Sequence, residues 1–437
     1  MTLQDVLIAP IFLIILYGIA YTRKAKLTNP LTQKYYFRAL HLRFFGCIAF
    51  ACVYQFYYGG GDTYNFFHDS TIIWNSFWDR FDIGLQILLD KPGTLNPSTQ
   101  SYTRYLYFYP DHQSMVVVKL SAVLGFLTYH TYLANAFIFA FIGFTGIWAM
   151  YRAMVDMYPS LYNKIAFACF MMPSAFFWGS GLMKDTLIVS ALGWAFYAFY
   201  FAFIKKQKIL KNSLILIASI WLMQEVKIYV AMCFLPAAAT WLLLEYRNKI
   251  RIALIRILIL PIVLLASVPV GYIAVSKLTE GTRFSFEEIG QTTKTNTEWN
   301  AISGSASYSL GEYDGTIGSV ISKFPAAITV SLFQPFLWQV RNPLMLLASL
   351  QATFILFLTL QTFFKTGLFK FFKILFSKPF LVFCLIFTLI LAFGTGVGSG
   401  NYGSLDRYRI PFIPFYIMLL LALQYFAKNQ KQRVQFA

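Results

Sequence analysis

Val6-Leu7-Ile8-Ala9-Pro10-Ile11-Phe12-Leu13-Ile14-Ile15-Leu16-Tyr17-Gly18-Ile19-Ala20-Tyr21 carries no charge and is apolar at almost every position. Comparable stretches, mostly about 18 to 24 residues long and so able to cross a bilayer, recur to the end of the chain. They fall at 6–21, 42–58, 131–151, 164–179, 182–204, 210–224, 228–245, 252–275, 343–364, 379–396 and 409–427, eleven in all. Apolar residues make up 58% of the 437 and charged residues 12%. This predicts an all-α integral membrane protein with about eleven transmembrane helices, built as a single polytopic domain over 1–437. The first stretch has no cationic region before it and no small-residue cleavage site after it, so it reads as a retained helix and not a signal peptide. Residues 115–129 are apolar but short and include Lys119, which suits a re-entrant or interfacial segment. Cys47, Cys52, Cys169, Cys233 and Cys384 all lie in apolar stretches and read as small buried hydrophobes, not as a disulfide or metal framework.

The formal charge of +18 would suggest nucleic acid in a soluble protein, but its distribution points to membrane topology. With the N-terminus outside, the segments on the cytoplasmic side hold 23 Lys and Arg and only two acids, Asp156 and Glu245. This bias is the positive-inside pattern, with the C-terminus cytoplasmic, and no nucleic-acid partner is needed to explain it. The expected location is the cytoplasmic (inner) membrane, with the lipid bilayer as partner and the long polar loops outside.

Two outer loops result, at about 59–113 and 277–323. The first is rich in aromatics and acids. Within it, 72–89 places Trp74, Phe77, Trp78, Phe81 and Leu85 along one side at helical spacing, as in a helix lying in the interface. The second is rich in Ser, Thr, Gly and Asn and reads as a mobile lid or a solvated linker. No phosphate loop, dinucleotide fingerprint, zinc spacing or G-x-S-x-G elbow is present.

The chemistry-bearing candidates are ionisable groups at the outer ends of spans. Asp62, in Tyr58-Gly59-Gly60-Gly61-Asp62-Thr63-Tyr64, stands where a span meets the outer face, with His68 and Asp69 close behind. A carboxylate at such a position needs a cation, a metal or a catalytic task, or else it caps the helix that begins there. Tyr109-Pro110-Asp111-His112 offers a second polar site, with Asp185, for a metal or for acceptor hydroxyls. Any divalent cation, Mg or Mn, would draw on Asp62, Asp111 and His112. Lys184 and Asp185 sit in a tight outer turn, either as a mutually neutralising pair or with Lys184 free for a phosphate. Glu225 and Lys227 read as a structural pair in another tight turn. Arg341, Arg407 and Arg409 lie at outer mouths of spans and suit a lipid phosphate, or serve as snorkelling anchors.

Gly60-Gly61-Asp62-Thr63-Tyr64 after an early span, Pro173-Ser174-x-x-x-Trp178-x-Ser180-Gly181-x-x-Lys184-Asp185, and Asn401-Tyr402-Gly403-x-x-x-Arg407-Tyr408-Arg409-x-Pro411-x-x-Pro414 together resemble the membrane glycosyltransferases of the C superfamily. The resemblance implies a polyprenyl-phosphate-linked sugar donor, a glycan, lipid or protein acceptor, and Asp62 as the catalytic aspartate in the first outer loop. An additional N-terminal span precedes that loop here, a departure from the usual arrangement. Transfer from a lipid phosphate needs a base for the acceptor hydroxyl and cations for the departing phosphate. Asp62, helped by Asp69 or His68, and Arg407, Arg409, Lys184 and Arg341 supply those types. A polysaccharide polymerase or ligase, or a non-enzymatic flippase or transporter of lipid-linked glycans, are the other readings. Spans largely free of charge and the lack of repeated halves disfavour transport.

Overall fold

In the computed structural model, residues 2–247, 294–295, 298, 306–312 and 317–435 are described. The expected span at 252–275 and most of the expected loop at 277–323 lie outside them. Eighteen α-helices account for the described chain: α1 Leu3–Leu27, α2 Gln33–Cys52, α3 Asp62–Asp79, α4 Phe81–Leu89, α5 Gln100–Thr103, α6 His112–Thr128, α7 Tyr132–Met157, α8 Tyr162–Phe170, α9 Pro173–Trp178, α10 Lys184–Phe199, α11 Ile209–Arg247, α12 Ile317–Ser322, α13 Phe324–Phe333, α14 Pro343–Thr366, α15 Leu368–Ser377, α16 Pro379–Ser399, α17 Tyr402–Tyr408 and α18 Ile413–Gln435. Among the described residues there is no strand, only one isolated β-bridge between Ser307 and Asn401.

Seven of these helices are long and apolar enough to cross a membrane, or eight if the bent pair Tyr402–Tyr408 and Ile413–Asn429 is one span. Leu3, Val6, Ile14, Phe45, Phe364 and Phe369 stand exposed on helix surfaces, as side chains facing lipid do. The protein is therefore helical and multi-pass.

The expected stretches at 210–224, 228–245 and 164–179 take a different form in the structure, for physical reasons. Ile209–Arg247 is a 39-residue helical run interrupted at Lys227, whose backbone (φ −152°, ψ 82°) is not helical. An unbroken helix of that length would measure about 58 Å, roughly twice the thickness of the hydrocarbon core. The break divides it into the two lengths expected at 210–224 and 228–245. The stretch 164–179 is not one helix but α8 and α9, of nine and six residues, each too short to span.

The chain divides into two compact units. The first comprises Met1–Tyr162, Ala175–Tyr197 and Leu214–Lys227. In it α1 and α2 pack on α7, with Tyr36 meeting Phe144 and Trp148 edge to face. A Cβ on Gly146 would fall 2.3 Å from Ser190 Cα, and one on Gly193 would fall 2.1 Å from Gly146 O. The two backbones touch there, which is how helices with apolar surroundings on every side gain packing. The helix expected over 72–89 is broken at Arg80 (φ −151°, ψ 104°) into α3 and α4. Gly84 makes the break compact, because a Cβ there would meet the Phe77 ring at 2.5 Å. Trp78, Phe81, Leu85 and Leu89 are exposed, whereas Phe77, expected on the same side, is buried. Residues 115–129 belong to α6, which packs on α3. Its Lys119 turns inward, and Nζ donates to the carbonyls of Leu88 (2.9 Å) and Asp90 (2.7 Å) at the end of α4.

The second unit comprises Asn163–Ser174, Ala198–Ser213 and the described part of Ile228–Ala437. Here α16 packs on α13 and α18, and α18 also holds α14 and α15. Phe383, Phe387 and Phe415 build its aromatic core with Phe234 and Trp241.

Candidate functional site

Asp62 is the first residue of α3, behind Gly59, Gly60 and Gly61, whose φ values are +66°, +144° and +117°. Three successive positive φ angles are closed to most side chains, so the glycine triplet is what lets the chain leave the end of the preceding helix and start α3. The start of α3 is then fixed in place. Thr63 Oγ1 pairs with the Tyr132 hydroxyl at 3.0 Å and donates to Leu182 O at 3.1 Å, while the Tyr64 hydroxyl donates to Gln55 Oε1 at 2.8 Å. Asp62 is half-buried in this frame, at the helix end whose dipole favours an anion.

Asp69, two turns along α3, has a different environment. It is completely buried and accepts backbone N–H bonds from Tyr107 (3.1 Å) and Phe108 (2.9 Å), so it ties the segment before α6 to α3. His68 is exposed, with Nδ1 3.3 Å from Asp69 Oδ1.

Lys184 and Asp185 do not pair with each other, and neither do Glu225 and Lys227. Residues one or two apart on a helix do not face each other. Instead, Lys184 Nζ lies 3.3 Å from Asp111 Oδ2 and donates to Ser114 Oγ at 2.9 Å. Lys227 Nζ lies 2.5 Å from Asp185 Oδ1, with both side chains buried. Glu225 Oε2 lies 2.6 Å from His112 Nε2. These pairings join the start of α6, the start of α10 and the break in α11, and they gather Asp111, His112, Ser114, Lys184 and Glu225 in one region of the first unit.

Asp111 also caps α6, accepting from Gln113 N (3.1 Å) and Ser114 Oγ (2.5 Å). Burial pushes its pKa up, but the Lys184 charge and the bonds from Ser114 and Lys184 outweigh this and hold the carboxyl below the usual range. His112 is 52% exposed and Glu225 23%. A carboxylate held against one ring nitrogen leaves the other to meet a substrate proton, the arrangement of an oriented acid–base group. Glu225 was read from the sequence only as a structural partner of Lys227, and Ser114 was not singled out. Ser114 was legible as the third residue after an N-cap aspartate, whereas the pairing of Glu225 across 113 residues leaves no local trace.

In the second unit, Arg409 is fully enclosed, its Nη1 donating to Gln334 O at 3.1 Å and its Nη2 2.9 Å from Asp406 Oδ1. Arg407 is half-buried in the last turn of α17. Arg341 is exposed just ahead of Asn342, whose side chain caps α14. Among the described residues no three His, Cys, Asp or Glu side chains converge as a metal site requires, so Asp62, Asp111 and His112 do not form the common cation site considered from sequence.

Comparisons with protein-family models, with curated proteins and with solved structures gave no match.

Proposed function

We propose that the chain is an inner-membrane glycosyltransferase of eleven spans, with its N-terminus and active face outside, that transfers a sugar from a polyprenyl-phosphate donor to a glycan, lipid or protein acceptor. The observation that carries this reading is the setting of Asp62: a half-buried carboxylate at the first turn of α3, behind a glycine turn open to a bulky substrate. In this mechanism Asp62 takes the acceptor hydroxyl's proton as the acceptor oxygen bonds to the anomeric carbon. The bond from that carbon to the phosphate oxygen breaks, and polyprenyl phosphate leaves with the electron pair. Lys184 is the cation of the first unit assigned to the phosphate, and Arg407, Arg409 and Arg341, in the second unit, are the other phosphate candidates. His112, oriented by Glu225, is a second acid–base group for the acceptor side. Asp69 serves this chemistry by holding the loop.

The test is turnover by the purified protein in detergent with a panel of polyprenyl-phosphate hexoses and pentoses, read as release of polyprenyl phosphate. Release with one of them is expected, and none with any donor would remove the reading. Sided cysteine labelling checks the orientation: positions in 62–110 should label from outside, and those in 205–211 and 365–376 only from inside.

A further inference from the structure

A group of lysines at one end of the second unit has no counter-charge within its own elements. α14 and α18 lie side by side and run in the same direction. Thr359 Oγ1 meets the Tyr416 hydroxyl at 2.9 Å, and further along Gln424 Nε2 donates to Gln361 Oε1 (3.2 Å) and Thr362 Oγ1 (2.9 Å). One turn beyond that clamp, on the same faces, come Lys365 and Lys428, both exposed. Lys164, in the first turn of α8, joins them. Burial first, then the charges of Lys365 and Lys428, lower its pKa. Lys378 adds a fourth ammonium, 5.2 Å over the Phe426 ring. The sequence has no Asp or Glu between Asp156 and Asp185, between Asp314 and Asp406, or after Asp406. None of the helices carrying these lysines can therefore neutralise them.

Beside the cluster lies α15, an amphipathic helix joining the ends of two span-length helices. Phe371, Ile374 and Leu375 pack inward, with Phe371 stacked on Phe363 at 4.7 Å. Leu368, Phe369, Phe372 and Phe376 stay exposed, Phe369 at 91%. Lys370 and Lys373 on this helix are exposed too. Apolar rings and lysines together at the end of spans fit the level of phospholipid headgroups, with the rings in the acyl boundary.

We propose that Lys164, Lys365 and Lys428, flanked by the exposed aromatic face of α15, form a binding site for the phosphate of an anionic phospholipid. Bound lipid neutralises charges that otherwise repel one another, so the site stabilises the fold only in an anionic membrane. The proposal does not depend on glycosyl transfer.

The experiment compares wild type with the Lys164→Gln/Lys365→Gln/Lys428→Gln variant in nanodiscs of phosphatidylcholine alone and of phosphatidylcholine with phosphatidylglycerol. Tm and the lipid retained in native mass spectra are read. Wild type should melt higher with phosphatidylglycerol and retain it, while the variant should lose most of that gain, with affinity falling roughly fivefold per lysine removed. In phosphatidylcholine alone the variant should melt no lower than wild type, because only repulsion has been removed. A Lys205→Gln/Lys206→Gln control should keep the full gain. An unchanged gain in the triple variant, a matching loss in the control, a lower Tm of the triple variant in phosphatidylcholine, or an equal gain from inorganic phosphate in detergent would each overturn the proposal.

Discussion

Lys227 carries an ammonium group into the protein interior, at a backbone position where a long helical run breaks, and Asp185 meets it there. Removing one partner of such a pair leaves a buried charge behind and typically costs about 3 to 5 kcal/mol, whereas removing both for apolar groups can be close to neutral. Lys227→Met should therefore lower the Tm in detergent sharply, and Asp185→Leu/Lys227→Met should recover most of the loss; equal damage in both would show that the pair is not what matters. His130 is the other buried ionisable group with a sharp consequence. It is 8% exposed, Nε2 lies 3.1 Å from Ser70 Oγ, and the ring lies against Phe67 and Trp74. Burial lowers its pKa from 6.5 to about 4. Because the folded pKa is the lower one, the unfolded chain binds the proton more readily. Stability is full above pH 6.5 and falls between 6.5 and about 4. The loss is on the order of 3 kcal/mol. His130→Phe should flatten that part of a Tm-against-pH curve, and an unchanged slope would contradict the assignment. At this scale the sequence marked Lys184, Asp185, Glu225 and Lys227 as ionisable groups in tight turns, but not their partners. Lys184 and Asp185 could not face each other along one helix, and that constraint was legible. That Lys184 would instead meet Asp111 depends on packing, which spacing does not encode.

Among the elements, α9 shows what hydropathy leaves out. The stretch 164–179 is largely apolar beyond Lys164, yet its helix breaks just ahead of Pro173, where the missing amide and the proline ring prevent a continuous helix. A broken helix among apolar surroundings leaves carbonyls without partners, and such groups are tolerated only where something satisfies them. Arg43, buried in α2, does so, its Nη1 donating to Ala175 O (3.2 Å) and Gly179 O (2.5 Å). In the charge count Arg43 stood among the loop cations, but the structure places it inside. Arg43→Met should cost about 3 kcal/mol or more, given roughly 1.5 to 3 kcal/mol for each bond to a charged donor. Denaturant titration in detergent measures this, and a stability equal to wild type would mean that other donors take over. The helical character of 72–89 was legible in its spacing, with Trp78, Phe81 and Leu85 exposed and Phe77 buried. Its break at Arg80 was not, because the packing of Phe77 on Gly84 that closes it is a tertiary contact.

At the scale of the whole molecule, the basic end segments, the exposed apolar helix surfaces and the acid-rich segment 59–113 follow one physical rule: charge stays where water or headgroups can hold it. That rule was readable from the chain, and it supports the multi-pass architecture. The proposed chemistry rests on a narrower point, the character of Asp62. Asp69 is tied to two backbone amides and Asp111 to a helix cap and Lys184. Asp62 is assigned to the reaction on its own position, half-buried at the first turn of α3 behind the glycine turn. The direct test is the rate of sugar transfer by Asp62→Asn against wild type, with equal Tm in the same detergent as the check on folding. The amide keeps the size and can still accept a hydrogen bond at the start of α3, but it cannot take a proton. The account predicts a rate lower by about 10²- to 10⁴-fold. A rate within twofold of wild type would contradict it and return Asp62 to the role of a helix-end anion.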